Sequence, residues 1–308
     1  MSNLHLVLGQ TLKELGEKDP NIVCLSGDVK NSTGVGIFAE HFPNRYFEMG
    51  ISEQNMIGVA AGMALEGKIP FVSSYACFSP GRNWEQIRNS ICLQNANVKI
   101  IGAHIGFAPA KDGATHQCFE DLALMRCLPN LKILSPFDDY DCKLCTKEAA
   151  NHKGPVYLRL SRYAAVKLGK RYDEPFVSIK DGKDIALIAT GAICEKALNA
   201  AAEYQNKTGK NIAVFGASHL KPLDTKKLEL LAPKFSAVIT VEEHQINCGF
   251  GSSIAEILSE KSHTKVFRIG MPDCFGTSGE TEQLYQTFGL DETSIFNTIE
   301  NVFSELKL

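Results

Sequence analysis

Hydrophobic and polar positions along this chain come in blocks. Short apolar, β-branched runs are separated by longer stretches with helical spacing. Runs of this length read as strands buried on both faces, and the intervening periodicity reads as helix. Strands are expected at residues 22–26, 71–75, 98–104, 132–135 and 156–159, with helices at 4–18, 37–41, 84–94, 119–126 and 140–152. A strand-like piece at Tyr46, Phe47 and Met49 leads to a turn at Gly50 and then to a helix starting near Ser52, a candidate N-cap. That helix carries Gly58, Ala60, Ala61, Gly62 and Ala64. Glycine inside a helix costs up to about 1 kcal/mol relative to alanine, so two of them imply close approach by a neighbour, with another chain among the candidates.

The pattern lapses at 163–183, a charged stretch ending in the turn signal Asp181-Gly182. It then resumes, with strands at 185–190, 212–217, 237–243 and 266–271 and helices at 193–204, 225–231 and 252–258. Such alternation predicts βαβ units and mostly parallel sheets covered on both faces. The expected fold is α/β, with two three-layer domains at 1–165 and 184–308 joined by a linker at 166–183.

Composition narrows the function classes. The 308 residues are 44% hydrophobic and 22% charged, and the net charge of -3 gives no case for nucleic acid or anionic membrane as partner. No apolar run approaches the ~20 residues that span a bilayer. The start, MSNLHLVLGQTLKELGEK, reads as an amphipathic helix and not a signal peptide, so a cytoplasmic location is expected. Of the ten cysteines, Cys24 and Cys92 lie in apolar runs, where free cysteine acts as a small hydrophobe. Cys142 and Cys145 form a CxxC on an expected helix with no second Cys or His pair nearby, a weak case for a zinc or redox site.

No G-x-G-x-x-G or Walker A loop is present. Gly249-Phe250-Gly251 is either an anion-binding helix opening or a tight turn, with the turn favoured. A denser candidate is the loop HIGFAPAKDGATHQ, which follows an expected strand and groups His104, Lys111, Asp112 and His116. Ligands of α/β sheets bind at the carboxyl ends of parallel strands. Such a loop can bind metal, run acid–base catalysis or simply be solvated, with metal the least favoured because the spacing matches no standard zinc pattern. Tyr75 and Phe78 follow another strand and fit either core packing or ligand stacking, while Glu53 could simply complement the helix dipole.

Taken together, E-Q-N-M from Glu53, G-R-x-W-E-Q-I-R from Gly81 and D-G-x-T-H-Q from Asp112 resemble transketolase, as do VYLRLSR and VEEHQINCGFGSSIAEIL. The resemblance covers the pyrimidine-binding domain and the C-terminal domain, in order, over nearly the whole chain. The family's diphosphate-binding domain, marked by G-D-G and a later Asn-Asn, has no counterpart; here the turn reads Gly27-Asp28-Val29. The resemblance therefore implies the C-terminal subunit of a split transketolase. An N-terminal partner would hold the diphosphate of thiamine diphosphate and its Mg or Ca ion, in an α2β2 assembly. Glu53 would share a proton with the cofactor's aminopyrimidine, a task eased by burial, which disfavours the charged carboxylate. Tyr75 and Phe78 would pack on the pyrimidine, Ile51 would line its pocket, and Asp28 would lie near the thiazolium. His104 and Asp112 would bind sugar hydroxyls, and Ser32, His116 and Arg162 the sugar's terminal phosphate.

Two departures from the family pattern bear on the substrate. His5 stands where the family usually has arginine, and Lys111 where it usually has glutamate. A mostly neutral histidine is a poorer phosphate ligand than arginine, which implies weaker or altered phosphate recognition. The nearest alternative is the beta subunit of the thiamine-dependent component of 2-oxo-acid dehydrogenases, which needs no sugar-binding histidines. A 1-deoxyxylulose-5-phosphate synthase resembles this half but is about twice as long, and a non-catalytic regulatory subunit would not need Glu53, Asp112 and His116.

Overall fold

The computed structural model describes residues 2–169 and 172–308. Seven strands make the larger sheet, in the order Tyr46–Glu48, Ile22–Ser26, Ile69–Tyr75, Lys99–Ala103, Val156–Leu160, Lys132–Leu134 and His219–Lys221. All neighbours pair in parallel except the last, which runs antiparallel to Lys132–Leu134. Every residue of Ile22–Ser26, Lys99–Ala103 and Val156–Leu160 is buried, as central parallel strands require. The second sheet has five strands, in the order Lys265–Met271, Ala237–Gln245, Ile185–Thr190, Ala213–Gly216 and Val177–Lys180, with only the last antiparallel. Helices cover both sheets, giving the three-layer α/β architecture read from the alternation. Among the described residues no helix is long and apolar enough to cross a membrane.

The structure adds to the expected elements and corrects some. Val177–Lys180 is a strand inside the segment expected as linker, of which residues 170 and 171 lie outside the described residues. His219–Lys221, from the second half, closes the edge of the first sheet. One apolar cluster runs from Val72, Ile100 and Tyr157 of the first sheet to Ala186, Ile188 and Val238 of the second, so the two sheets share a core. Where one α-helix was expected at 84–94, Trp84–Gln86 passes into a π-helix at Ile87–Cys92. Helices at Thr281–Thr287 and Glu292–Leu306 follow the last strand.

Gly249-Phe250-Gly251 is not a simple tight turn. It opens the helix Phe250–Lys261, and the Phe250 and Gly251 N–H groups donate to the Glu242 carboxylate at 2.6 and 2.8 Å. The acceptor at this helix start is the protein's own carboxyl group. Cys142 and Cys145 are buried on the helix Asp139–Asn151, and burial raises both thiols above their ordinary range, so they are inert packing groups.

Candidate active site

Parallel pairing brings the carboxyl ends of five strands to one sheet edge. Ile22–Ser26 runs into Asp28, Tyr46–Glu48 into Gly50 and Glu53, Ile69–Tyr75 into Phe78, Lys99–Ala103 into His104, and Val156–Leu160 into Arg162. Segments far apart in sequence thus deliver most of the singled-out residues to one place.

Glu53 opens the helix Glu53–Leu65, whose buried face is Glu53, Met56, Ile57, Ala60 and Ala61. That is the i, i+3, i+4, i+7, i+8 spacing of one helix face. Gly58 and Gly62 lie on the opposite, exposed side, where a Cβ would meet nothing within 4 Å. This chain's own packing does not require either glycine. Ser52 precedes the helix but makes no capping hydrogen bond, contrary to expectation. The Glu53 side chain is only 3% exposed. Its Oε1 accepts from Ser74 Oγ at 3.4 Å and from Arg82 Nη1 at 3.3 Å, and Oε2 accepts from the same Arg82 nitrogen at 3.2 Å. The Asn83 amide holds the Glu53 carbonyl at 3.2 Å. A cavity of about 650 Å³ opens here, lined by Ile51, Ser52, Glu53, Gln54, Asn55 and Arg82. Ile51 reaches it 71% exposed, an apolar side chain given to solvent in this chain.

Glu48 braces the two neighbouring turns. Its carboxylate accepts from the Asp28 N–H at 2.8 Å, the Gly50 N–H at 3.1 Å and the Tyr46 hydroxyl. Both braced residues have φ of 64°, which glycine adopts freely and aspartate tolerates. His104, at φ 55°, is a second non-glycine residue held in the left-handed region at this edge, where backbone strain tends to mark function.

The aromatic and histidine side chains form a connected group. Tyr75 and Phe78 lie nearly parallel, with centroids 6.1 Å apart. The Tyr75 ring is 4.3 Å from His104, and its hydroxyl donates to Ser32 Oγ at 3.2 Å. His104 lies 4.5 Å from His5, and Phe78 meets His116 edge-on at 5.4 Å. His5 is placed by a local device: Ser2–Asn3 pairs antiparallel with Tyr163–Ala164, and Asn3 caps the helix Leu4–Gly16 through the His5 N–H. The same pairing sets Arg162 beside the histidines.

Both histidines are neutral near pH 7. Burial, with help from His104 and Arg162, pushes His5 down to about 3, and burial with Arg162 pushes His104 down to about 4. His5 Nε2 and His104 Nδ1 are buried with no hydrogen-bond partner among the described residues. Buried polar atoms are rarely left so, and two together suit a ligand that brings hydroxyl groups.

Asp112 stands apart. It is exposed on the turn Ala110–Asp112, and no hydrogen bond or ion pair among the described residues ties it to this group. Lys111 pairs with Glu280 of the second half at 2.6 Å, so its charge is met within the chain. Among the described residues, no group of three or more His, Cys, Asp or Glu is placed to hold a metal ion. Sequence reasoning missed Ser74, Asn83, Arg82 and Glu48 as neighbours of the site; only Arg82 had a signal, as part of G-R-x-W-E-Q-I-R.

Comparison with known proteins matches this architecture half by half. Residues 2–166 match the transketolase pyrimidine binding domain and residues 176–295 the transketolase C-terminal domain. A putative transketolase C-terminal section from Methanocaldococcus jannaschii is 40% identical, over 94% of this chain and 93% of that one. A 6-deoxy-6-sulfo-D-fructose transketolase subunit, SqwH, from a Clostridium species is 35% identical, over 94% of this chain and 91% of its own length. A solved structure described as a split gene transketolase, inactive beta4 tetramer, superposes with a TM-score of 0.90 at 39% identity, covering 99% of both chains. With both halves matched in order and relatives of the same length on either side, this chain belongs to the transketolase family.

Proposed function

We propose that this chain is the C-terminal subunit of a two-subunit transketolase, moving a two-carbon ketol unit from a ketose to an aldose. The observation that carries the reading is Glu53: a carboxylate buried at the edge of a parallel sheet, lining an open cavity and linked through Arg82 to Phe78 of the stacked Tyr75–Phe78 pair. These residues fit a thiamine diphosphate cofactor. When bound, thiamine diphosphate supplies the nucleophilic carbon that carries the two-carbon unit.

The chain's own residues have distinct tasks. Glu53 holds a proton at the far ring nitrogen of the aminopyrimidine. Tyr75 and Phe78 pack on the ring, worth about 0.5–1.5 kcal/mol beyond burial. Ile51 shields its edge from water, and Asp28 faces the thiazolium side. His104 and Asp112 bind sugar hydroxyls, with Asp112 moving inward on the Ala110–Asp112 turn. Ser32, His116 and Arg162 hold the far end of the sugar.

The diphosphate and its magnesium or calcium ion are assigned to an N-terminal partner subunit, and the two chains to an α2β2 assembly. The exposed Gly58–Gly62 helix side and Ile51 supply a face that a partner can approach closely. The relative described as an inactive beta4 tetramer is consistent with a chain that associates with itself but does not work alone. Domain limits at 1–165 and 184–308 and a cytoplasmic location belong to the same proposal. The substrate end carries a specific feature: His5, neutral and buried, contributes no charge to phosphate binding.

Reconstitution tests this reading. The chain alone and the chain with its partner, each with thiamine diphosphate and magnesium, are assayed on phosphorylated and neutral ketoses. Ketol transfer is expected only from the pair, and measurable transfer by the single chain would refute the proposal. Ordinary pentose phosphates are expected to be inferior donors; if they match the best sugar tested, His5 has no part in specificity.

A further inference from the structure

The ion pair between Arg82 and Glu53 differs from the fully buried pair of Asp121 and Arg159. Asp121 and Arg159 are both fully buried and meet through two guanidinium nitrogens, at 2.7 and 3.1 Å. The Arg82 side chain is 47% exposed and offers a single nitrogen to both Glu53 oxygens, at 3.3 and 3.2 Å. Charge-assisted N–H···O bonds usually run about 2.7–2.9 Å, so this contact is long, and it forms on a side chain that is half open to water. What holds Arg82 in place comes largely from the side. Its guanidinium carbon lies 4.1 Å over the Phe78 ring, and its carbonyl accepts from Gln54 Nε2 at 3.2 Å.

Arg82 therefore presents to Glu53 a planar cation, stacked on an aromatic ring, with an N–H aimed at the carboxylate. A protonated aminopyrimidine offers a carboxylate the same three features. We propose that Arg82 is an internal stand-in for the cofactor's pyrimidine ring, occupying Glu53 in the cofactor-free chain and leaving when the ring binds. The inference rests on the reading of this chain as a thiamine-diphosphate-dependent subunit. It explains how a carboxylate as buried as Glu53 is tolerated before the cofactor arrives, since a buried charge with no partner is strongly destabilising. It also makes Arg82 a competitor: the cofactor must break the pair before it can use Glu53. The exit is open, because the half-exposed Arg82 side chain itself lines the 650 Å³ cavity.

The test is calorimetric titration of thiamine diphosphate, with magnesium present, into the two-subunit complex. Arg82→Met keeps an apolar stem on Phe78 and removes the charge and the donors. Its Kd is expected to be about two- to fivefold lower than that of the unmodified complex, the scale of a partly exposed ion pair. Arg82→Gln serves if the first variant does not assemble with the partner. A Kd that is unchanged or higher overturns the inference, while binding by the unmodified complex leaves the cofactor reading standing. Absence of binding by the unmodified complex overturns both. A second measurement needs no variant: phenylglyoxal modification of Arg82, followed by peptide mass spectrometry, is expected to rise when cofactor is added. Unchanged or lowered modification overturns the displacement.

Discussion

Glu53 takes hydrogen bonds from Ser74 and Arg82 on two different segments, and these partners set what a substitution there would do. Glu53→Gln keeps the size and one acceptor oxygen but cannot hold the proton that the proposed mechanism assigns to Glu53. Turnover of the assembled enzyme is expected to fall about 10²- to 10⁴-fold, the usual scale for a lost proton-transfer group, with assembly unchanged by size-exclusion chromatography. Near-normal turnover would remove Glu53 from the mechanism. At this scale the sequence was informative where a residue directly follows a strand. Tyr75, Phe78 and His104 fall at strand ends, so the parallel sheet alone brings them together. Glu48 was not legible and Arg82 showed only as a motif letter, not as a partner of Glu53, because a long side chain reaching to another segment is directed by packing and not by spacing. Asp112 shows the reverse: its motif is clear, yet the Ala110–Asp112 turn leaves it exposed.

Elements tell a similar story through the helix Phe250–Lys261 and its strand partner. Glu242 lies on the strand Ala237–Gln245, and burial pushes its carboxyl up to about 7 although it accepts two backbone N–H groups. Its folded pKa stands above the ordinary carboxylate value. The linked stability is therefore fully present below about 4.5 and is lost as pH rises through about 7. Urea unfolding of the full chain and of Glu242→Gln is expected to show the widest stability gap near pH 4.5, narrowing toward pH 8; a gap that widens with pH would contradict it. The strand Ile185–Thr190 and the helix Thr225–Leu231 were legible to the residue, since each carries its own periodicity and turn signals. Val177–Lys180 and His219–Lys221 were not, because edge strands of four and three residues owe their form to the strand beside them. The helix Glu292–Leu306 did carry a signal, with Ile295, Ile299, Val302 and Phe303 on one face and Asp291 capping through the Ser294 N–H.

For the whole molecule, the two halves are joined by more than apolar contact. Asp121 and Arg159 pair in the shared interior, Tyr157 donates to Asp121 at 2.9 Å, and Arg159 Nη2 donates to the Glu243 carbonyl at 2.8 Å. The Glu243 carboxylate accepts in turn from the Phe107 N–H at 2.7 Å, next to Gly106, where a Cβ would lie 2.2 Å from its oxygen. Arg159→Met leaves Asp121 buried and uncompensated, so a loss of about 3–5 kcal/mol in urea unfolding is expected. The double change with Asp121→Leu is expected to recover much of it; if it is no more stable than the single change, the charge is not what the site depends on. The two-half plan was legible from the lapse at 163–183, but the sharing of core and sheet was not, because long-range pairing leaves no mark on local periodicity. That sharing has a practical consequence for dissecting the protein. A chain cut after residue 169 would lose His219–Lys221 and bare the edge of Lys132–Leu134, a row of unpaired amides that recruits other strands. Such a fragment is expected to aggregate rather than persist as a free domain, so function at either end is better probed by point substitution than by excision.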